Sequence, residues 1–349
     1  MVAEPKKLLS HSRTRLYRCV CPGSPRCLFT GTGRLQQVRD GPPLAPGFMP
    51  KLTSPTRSYV DSSPFERLVG FLSAAPFTLV YILAPLHLLA AICLLMYDFR
   101  SPLTWTLIAP IAISMLTPAW VSVALSPYVL GNWCARQIPK YFRYEEYHEI
   151  GDDELKANHA AGKRYILVAH PHGVFSFCGV CGAIATMADK KGGIGPALPL
   201  EVPTAAASVI RFFPILKDVL GVFGVIDAAG PVLKKRLARN RGSFVLYVGG
   251  IAELFASSPK EEAVVLKARK GFIKLALQTG ADVIPVYFFG NTTVLSTVRW
   301  APIAKLSRKM GVSVTYFWGR FGLPVPNAVK LVYARGRPLG LPQVRFDCH

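Results

Sequence analysis

His170-Pro171-His172-Gly173 is the stretch of this 349-residue chain best suited to moving a proton, and it follows directly on the apolar run Tyr165-Ile-Leu-Val-Ala169. Imidazole titrates near neutral pH, so a histidine held within hydrogen-bond reach of a hydroxyl can take its proton as that oxygen attacks. Pro171 fixes its own φ and restricts His170, so both rings sit on a constrained backbone. A run of β-formers that stops at Pro and Gly reads as a buried strand entering a tight turn, and α/β folds bind ligands at the carboxyl ends of such strands. Packing or a structural hydrogen bond is the other use of a histidine pair.

Three further clusters carry suitable side chains. Phe244-Val-Leu-Tyr-Val248 is a second strand-like run, ended by Gly249-Gly250 and followed by Glu253. Glycines let backbone amides approach a phosphate or a developing oxyanion, and a carboxylate there can orient a histidine through its second ring nitrogen. A capping glutamate after a common Gly-Gly turn is the plainer alternative. Arg269-Lys270-Gly271 stands near the start of an expected helix, where cations oppose the helix dipole and are better explained as facing an anion; a solvated basic face explains them as well. Arg211, in Arg211-Phe-Phe-Pro214, is either another anion contact or a head group snorkelling from an amphipathic face. Ser176 and Cys178 could act as nucleophiles, but no motif surrounds them, and the Gly-x-Ser-x-Gly, Walker-type and dinucleotide glycine patterns are absent from the sequence.

The elements that must position these residues follow from charge and hydropathy. The chain carries 41 Lys and Arg against 20 Asp and Glu, a net charge of +21, with 51% apolar and 17% charged residues. A strongly basic chain seeks anions, whether nucleic acid, phospholipid head groups or a phosphate-bearing molecule such as coenzyme A; composition does not choose. The eight cysteines follow no regular framework and read as reduced thiols facing the cytosol, and Cys178-Gly-Val-Cys181 has no second pair at ligand spacing, so no metal is expected. Residues 1–62 hold ten cations, three acids and no apolar periodicity, which predicts a disordered basic arm, with an organellar transit peptide as the alternative. Within 63–135, the uncharged runs Leu68–Tyr97 and Ser101–Ala135 are each long enough to span or enter a bilayer. Their short connection predicts a helical hairpin with both ends toward the cytosol. Pro76, Pro85, Pro110, Pro118 and Pro127 make a re-entrant wedge the alternative. From 136 to 349, strands are expected over 165–169, 244–248, 283–288, 312–317 and 329–334. Helices are expected over 204–220, 230–240 and 262–279, the last capped by Gly280, and the alternation predicts an α/β domain.

In this order, His170-Pro171-His172-Gly173, Arg211-Phe-Phe-Pro214, Gly249-Gly250-Ile-Ala-Glu253, Arg269-Lys270-Gly271-Phe272, the segment from Gly280 to Gly290 and Phe317-Trp-Gly-Arg-Phe-Gly-Leu-Pro324 resemble the successive blocks of the type-2 diacylglycerol acyltransferase family. The resemblance covers about residues 65 to 340. It implies a membrane-anchored α/β protein: a transmembrane or re-entrant helical hairpin, then a glycerolipid-acyltransferase-like catalytic domain. The implied reaction moves a fatty acyl group from acyl-CoA, a co-substrate, to diacylglycerol, forming triacylglycerol with no cofactor. Monoacylglycerol or a fatty alcohol is the alternative acceptor, and a non-catalytic protein binding anionic lipid is the remaining class. The implied partners are acyl-CoA, diacylglycerol and membrane lipids, without nucleic acid; a homo-oligomer is left open. The implied location is the endoplasmic reticulum membrane or lipid droplets with the catalytic domain facing the cytosol, or a plastid membrane if the arm is a transit peptide. His172, with His170 next, would be the base, and Glu253 would orient it. Amides near Gly173, Gly249 or Gly250 would hold the oxyanion, and Arg269, Lys270, Gly271 and Arg211 would hold coenzyme A. The chain departs from the family at Arg143 and Asn291, which stand where relatives carry Pro and Glu. It also shows no clear Phe-Leu-x-Leu pattern in the hairpin, and it ends at His349, where relatives continue with another helix.

Overall fold

The computed structural model describes residues 17–19, 54–188, 202–238, 242–258, 262–311 and 313–342. Most of the expected disordered arm, and the expected strand start at position 312, lie outside the described residues. The strands are β1 (Tyr17–Cys19), β2 (Arg57–Ser58), β3 (Glu145–His148), β4 (Tyr165–His170), β5 (Thr204–Ala206), β6 (Ile226–Asp227), β7 (Phe244–Tyr247), β8 (Glu262–Val264), β9 (Asp282–Phe289), β10 (Ser296–Thr297), β11 (Phe317–Trp318) and β12 (Val332–Arg335). The helices are α1 (Pro64–Tyr97), α2 (Pro102–Leu116), α3 (Ala119–Gly131), α4 (Ile138–Tyr141), α5 (Asp152–Ala160), α6 (Phe177–Ala188), α7 (Leu216–Gly221), α8 (Gly230–Ala238), α9 (Gly250–Ala256), α10 (Gly271–Thr279) and α11 (Ala301–Met310).

Ser63 starts α1 with a capping box. Its hydroxyl accepts from the Glu66 amide at 3.2 Å, its own amide donates to the Glu66 carboxylate at 2.8 Å, and Pro64 occupies the first helical position, where a missing N–H costs nothing. The helix runs unbroken through Pro76 and Pro85. Among the described residues it is the single continuous helix long and apolar enough to cross a membrane. The second apolar run is not one continuous helix; a break at one of its prolines fits the re-entrant alternative as well as a broken span. It breaks at Thr117-Pro118 into α2 and α3, which meet at 102°. Pro118 lacks the N–H a continuing helix needs and pushes Thr117 into the extended region (φ −73°, ψ 118°).

These apolar helices are packed on the rest of the molecule. Phe77 of α1 meets Phe223 at 5.5 Å and stacks on Phe175 at 6.3 Å, while Ser114 of α2 and Ser122 of α3 both donate to Asp218 of α7. Eight of the described strands form one sheet in the order β2-β3-β12-β9-β4-β7-β5-β6. From β9 through β6 the neighbours are parallel, and β12 runs antiparallel to β9. Central β4 is buried along its whole length, as a strand covered on both faces must be. Its alternation divides two cores: Leu167 and Ala169 face the layer of α6 and α1, while Ile166 and Val168 face that of α8 and α10.

Two expected helices are corrected. Within 204–220, Thr204–Ala206 is a strand, Thr204 and Ala205 pairing with Val245 and Leu246, and only Leu216–Gly221 is α-helical, because sheet pairing outweighs local propensity and Pro214 interrupts the rest. Within 262–279, Glu262–Val264 is a buried strand paired with β1, and the helix begins at Gly271 and stops, as expected, at left-handed Gly280. The strand expected over 312–317 is reduced to Phe317–Trp318, and that over 329–334 begins at Val332.

Candidate active site

Three adjacent parallel strands deliver the site. β4 ends on His170, β7 on Tyr247 and β9 on Phe289, so the turns that follow them converge at one edge of the sheet. The His170–Pro171 peptide is cis. The turn after it reaches Gly173 at φ +65°, where a Cβ would lie 2.9 Å from Asn291, and α6 then begins at Phe177. The turn after β7 passes Gly249 and enters α9 through Gly250, at φ +49°.

His172 faces a cavity of about 840 Å³. Its Nδ1 lies 2.8 Å from the Gly173 carbonyl oxygen, which can only accept, so Nδ1 carries the hydrogen and Nε2 keeps its lone pair. The ring packs edge-on against Tyr247, with centroids 4.8 Å apart. Burial lowers its pKa, opposed in part by the Gly173 contact, so the ring is neutral at physiological pH. His170 is buried beside it and off the cavity wall. Burial pushes its pKa down to about 4, and its Nδ1 has no hydrogen-bond partner among the described residues.

Glu253 is fully buried, and its carboxyl group occupies the space a Cβ at Gly249 would fill, with the nearest atom 1.8 Å from that position. It was expected to orient the base through the ring. Instead, its Oε2 accepts the His172 backbone N–H at 3.1 Å and its Oε1 accepts the Val265 N–H at 3.1 Å. Its nearest approach to an imidazole is 3.8 Å, from Oε1 to Nδ1 of His170, beyond hydrogen-bond reach. Burial raises the Glu253 pKa to about 7, opposed by those two N–H groups and by Arg269. Glu253 therefore holds the main chain of the histidine turn.

His170, His172, Gly173, Gly249, Gly250 and Glu253 are brought together; the expected cations are not on the same wall. Arg269 and Lys270 are exposed in the turn before α10, and Gly271 is its first residue. Arg211 is exposed, 3.8 Å from Asp227, and lines a second cavity of about 550 Å³ with Lys217 and Arg236. The two cavities share Val123, Ile210, Gly224 and Val225 as wall.

Sequence reasoning did not find the role of Asn291. It is buried, its Nδ2 donates to the carbonyls of His172 at 2.8 Å and Pro171 at 3.2 Å, and its Oδ1 accepts the Cys178 N–H at 3.2 Å. It thus ties the histidine turn to the first turn of α6, whose leading N–H groups lack helical partners. Its sequence signal is that it follows Gly290 and stands where the resemblance leads one to expect Glu. The cavity itself was also invisible: Tyr81 of α1, Val123 of α3, Val180 of α6 and Phe223 wall it far from the histidines in sequence. Its size and apolar lining suit a long hydrocarbon chain, each buried methylene of which is worth about 0.8 kcal/mol.

The family described as diacylglycerol acyltransferase matches residues 101–345. A Dictyostelium discoideum protein named diacylglycerol O-acyltransferase 2 is 33% identical over 206 residues, covering 55% of this chain and 61% of that protein. The human protein named 2-acylglycerol O-acyltransferase 3 is 31% identical over 52% of this chain and 57% of its own length. The human acyl-CoA wax alcohol acyltransferase 1 is 29% identical over 61% of this chain and 66% of its own length. The chain spans about three-fifths of the length of these curated relatives.

Proposed function

This chain belongs to the diacylglycerol acyltransferase family, and from that membership and the geometry of its site we propose that it transfers a fatty acyl group from acyl-CoA to the free hydroxyl of diacylglycerol, forming triacylglycerol. His172 Nε2 removes the hydroxyl proton as the oxygen attacks the thioester carbonyl. Backbone amides of the Gly173 and Gly249-Gly250 turns hold the oxyanion, coenzyme A leaves as its thiolate, and the imidazolium returns the proton to that sulfur. Arg269, Lys270 and Arg211, which lie off the wall that His172 lines, hold coenzyme A phosphates. The α1 helix anchors the protein in the endoplasmic reticulum membrane or at lipid droplets, where the acceptor is concentrated. One observation carries the reading: a neutral histidine with Nε2 unengaged among the described residues lines a chain-sized apolar cavity.

The names of the relatives favour two further acceptors, a monoacylglycerol or a fatty alcohol, at the same site. Microsomes from yeast lacking neutral-lipid synthesis, expressing this chain and given labelled acyl-CoA with each acceptor, separate them by product. His172→Ala is expected to lower kcat by about 10²–10⁴-fold, the usual share of a general base. Equal labelling by wild type and His172→Ala would overturn the assignment of the base.

A further inference from the structure

We infer that α11, with Trp300 at its start, is a second membrane contact, an interfacial helix that docks on a leaflet of anionic phospholipid. On the helix, Ala304 and Ser307 are buried, and Ser307 Oγ accepts the Val314 N–H at 2.9 Å, so one face is fixed to the body of the protein. The other face is split. Leu306 and Met310, four residues apart, form an exposed apolar edge, exposed Lys305 and Lys309 follow it round the helix, and exposed Arg308 lies further round. Trp300 is 62% exposed next to them. An apolar edge flanked by cations and an aromatic anchor is the pattern of a helix lying in the head-group region, with Lys and Arg reaching phosphates and Trp at the boundary.

The charge around it commits the occupant. From Arg299 to Arg320, which takes in α11 and the segment after it, there are five Lys and Arg and no Asp or Glu, so this surface complements an anionic leaflet and not a basic partner. The segment after α11 is also braced on the apolar helix α1. Arg320 stacks on Phe71 at 5.6 Å and on Phe321 at 4.9 Å, Phe317 meets Tyr81 edge-on at 6.5 Å, and Phe321 is 76% exposed. Exposed Phe65, Leu68 and Leu72 stand near the same end of α1, so the apolar surface of the first helix continues onto this segment. Val314 and Phe317, just past α11, wall the cavity that His172 faces. Docking here sets that cavity against the lipid surface, so the inference builds on the proposed anchoring by α1 while resting on different residues.

The test uses the full chain reconstituted in vesicles of phosphatidylcholine alone or of equimolar phosphatidylcholine and phosphatidylserine, with shallow brominated lipid as a quencher. The Trp300 signal is taken as wild type minus Trp300→Phe. It is expected to be quenched in the anionic vesicles, with the docked-to-undocked ratio falling about a hundredfold when Lys305, Arg308 and Lys309 are all replaced by Gln. Retention of that triple variant in alkaline-washed vesicles reads α1 anchoring separately, and its melting temperature shows whether it folds. Trp300 open to acrylamide in both vesicle types would overturn the inference. So would Trp300 becoming shielded in lipid-free detergent as protein concentration rises, since a second copy would then be the occupant.

Discussion

Asn291→Ala is the sharpest probe of how the histidine turn is held. The substitution removes an amide that makes three hydrogen bonds to buried main chain: to the His172 carbonyl at 2.8 Å, to the Pro171 carbonyl at 3.2 Å, and from the Cys178 N–H at 3.2 Å. At about 1 kcal/mol each, and more for a group left buried without a partner, the loss is about 3 kcal/mol. At the usual few degrees per kcal/mol for a domain of this size, that is a drop in melting temperature of roughly 6–12 °C. The kinetic effect is larger than stability alone predicts, because the carbonyl that orients the His172 ring belongs to Gly173, the next residue in the same turn. A base displaced by about 1 Å costs on the order of a hundredfold in rate. The variant is purified in detergent, its unfolding followed by scanning fluorimetry, and kcat and KM measured with one acyl-CoA at a temperature where it is fully folded. The expected result is kcat down about a hundredfold with KM for acyl-CoA changed little. A variant that melts lower yet keeps kcat within a few-fold would show that Asn291 supports the fold without positioning the base.

Two neighbouring glycines give a paired prediction. Gly249→Ala would drive a Cβ into the Glu253 carboxyl group and break both of its N–H contacts, so loss of the folded protein is expected, whereas Gly250→Ala meets no atom within 4 Å and bears only the left-handed strain of about 1–2 kcal/mol, measurable as a modest fall in melting temperature. Glu253 should also leave a signature in pH-dependent stability. With its pKa raised from 4.5 to about 7 in the fold, the folded state holds the proton longer than the unfolded one. Its contribution is therefore fully present below pH 4.5 and is lost as pH rises through about 7. Relative to wild type, Glu253→Gln should gain roughly 3 kcal/mol between those limits, at 1.36 kcal/mol per unit. A difference between the two unfolding curves that does not change with pH would show that the buried carboxyl group is ionised throughout.

Local chemistry made the strands and their ends legible. Tyr165–Ala169, Phe244–Tyr247 and Val283–Phe288 are apolar runs stopped by Pro or Gly, and a strand so marked needs no partner to be read. The same holds for the Gly280 stop of α10. Thr204–Ala206 and Glu262–Val264 were not legible, because their strand character comes from neighbours in the sheet and not from their own residues. The second apolar run was half legible: its lack of charge was plain, but how sharply the chain turns at Thr117-Pro118 depends on what α2 and α3 pack against, including Asp218 of α7.

By itself, then, the order of residues determined which side chains can carry a proton and which strand ends present them, since both follow from side-chain type and short-range sterics. Tertiary structure alone decided that His172 and not His170 looks into the cavity, that Glu253 grips a backbone N–H in place of a ring, and that Asn291 ties the turn to α6. Each of those depends on groups 81 to 120 positions apart meeting within about 3 Å, a distance set by the packing of β4, β7 and β9 side by side and written in no local pattern.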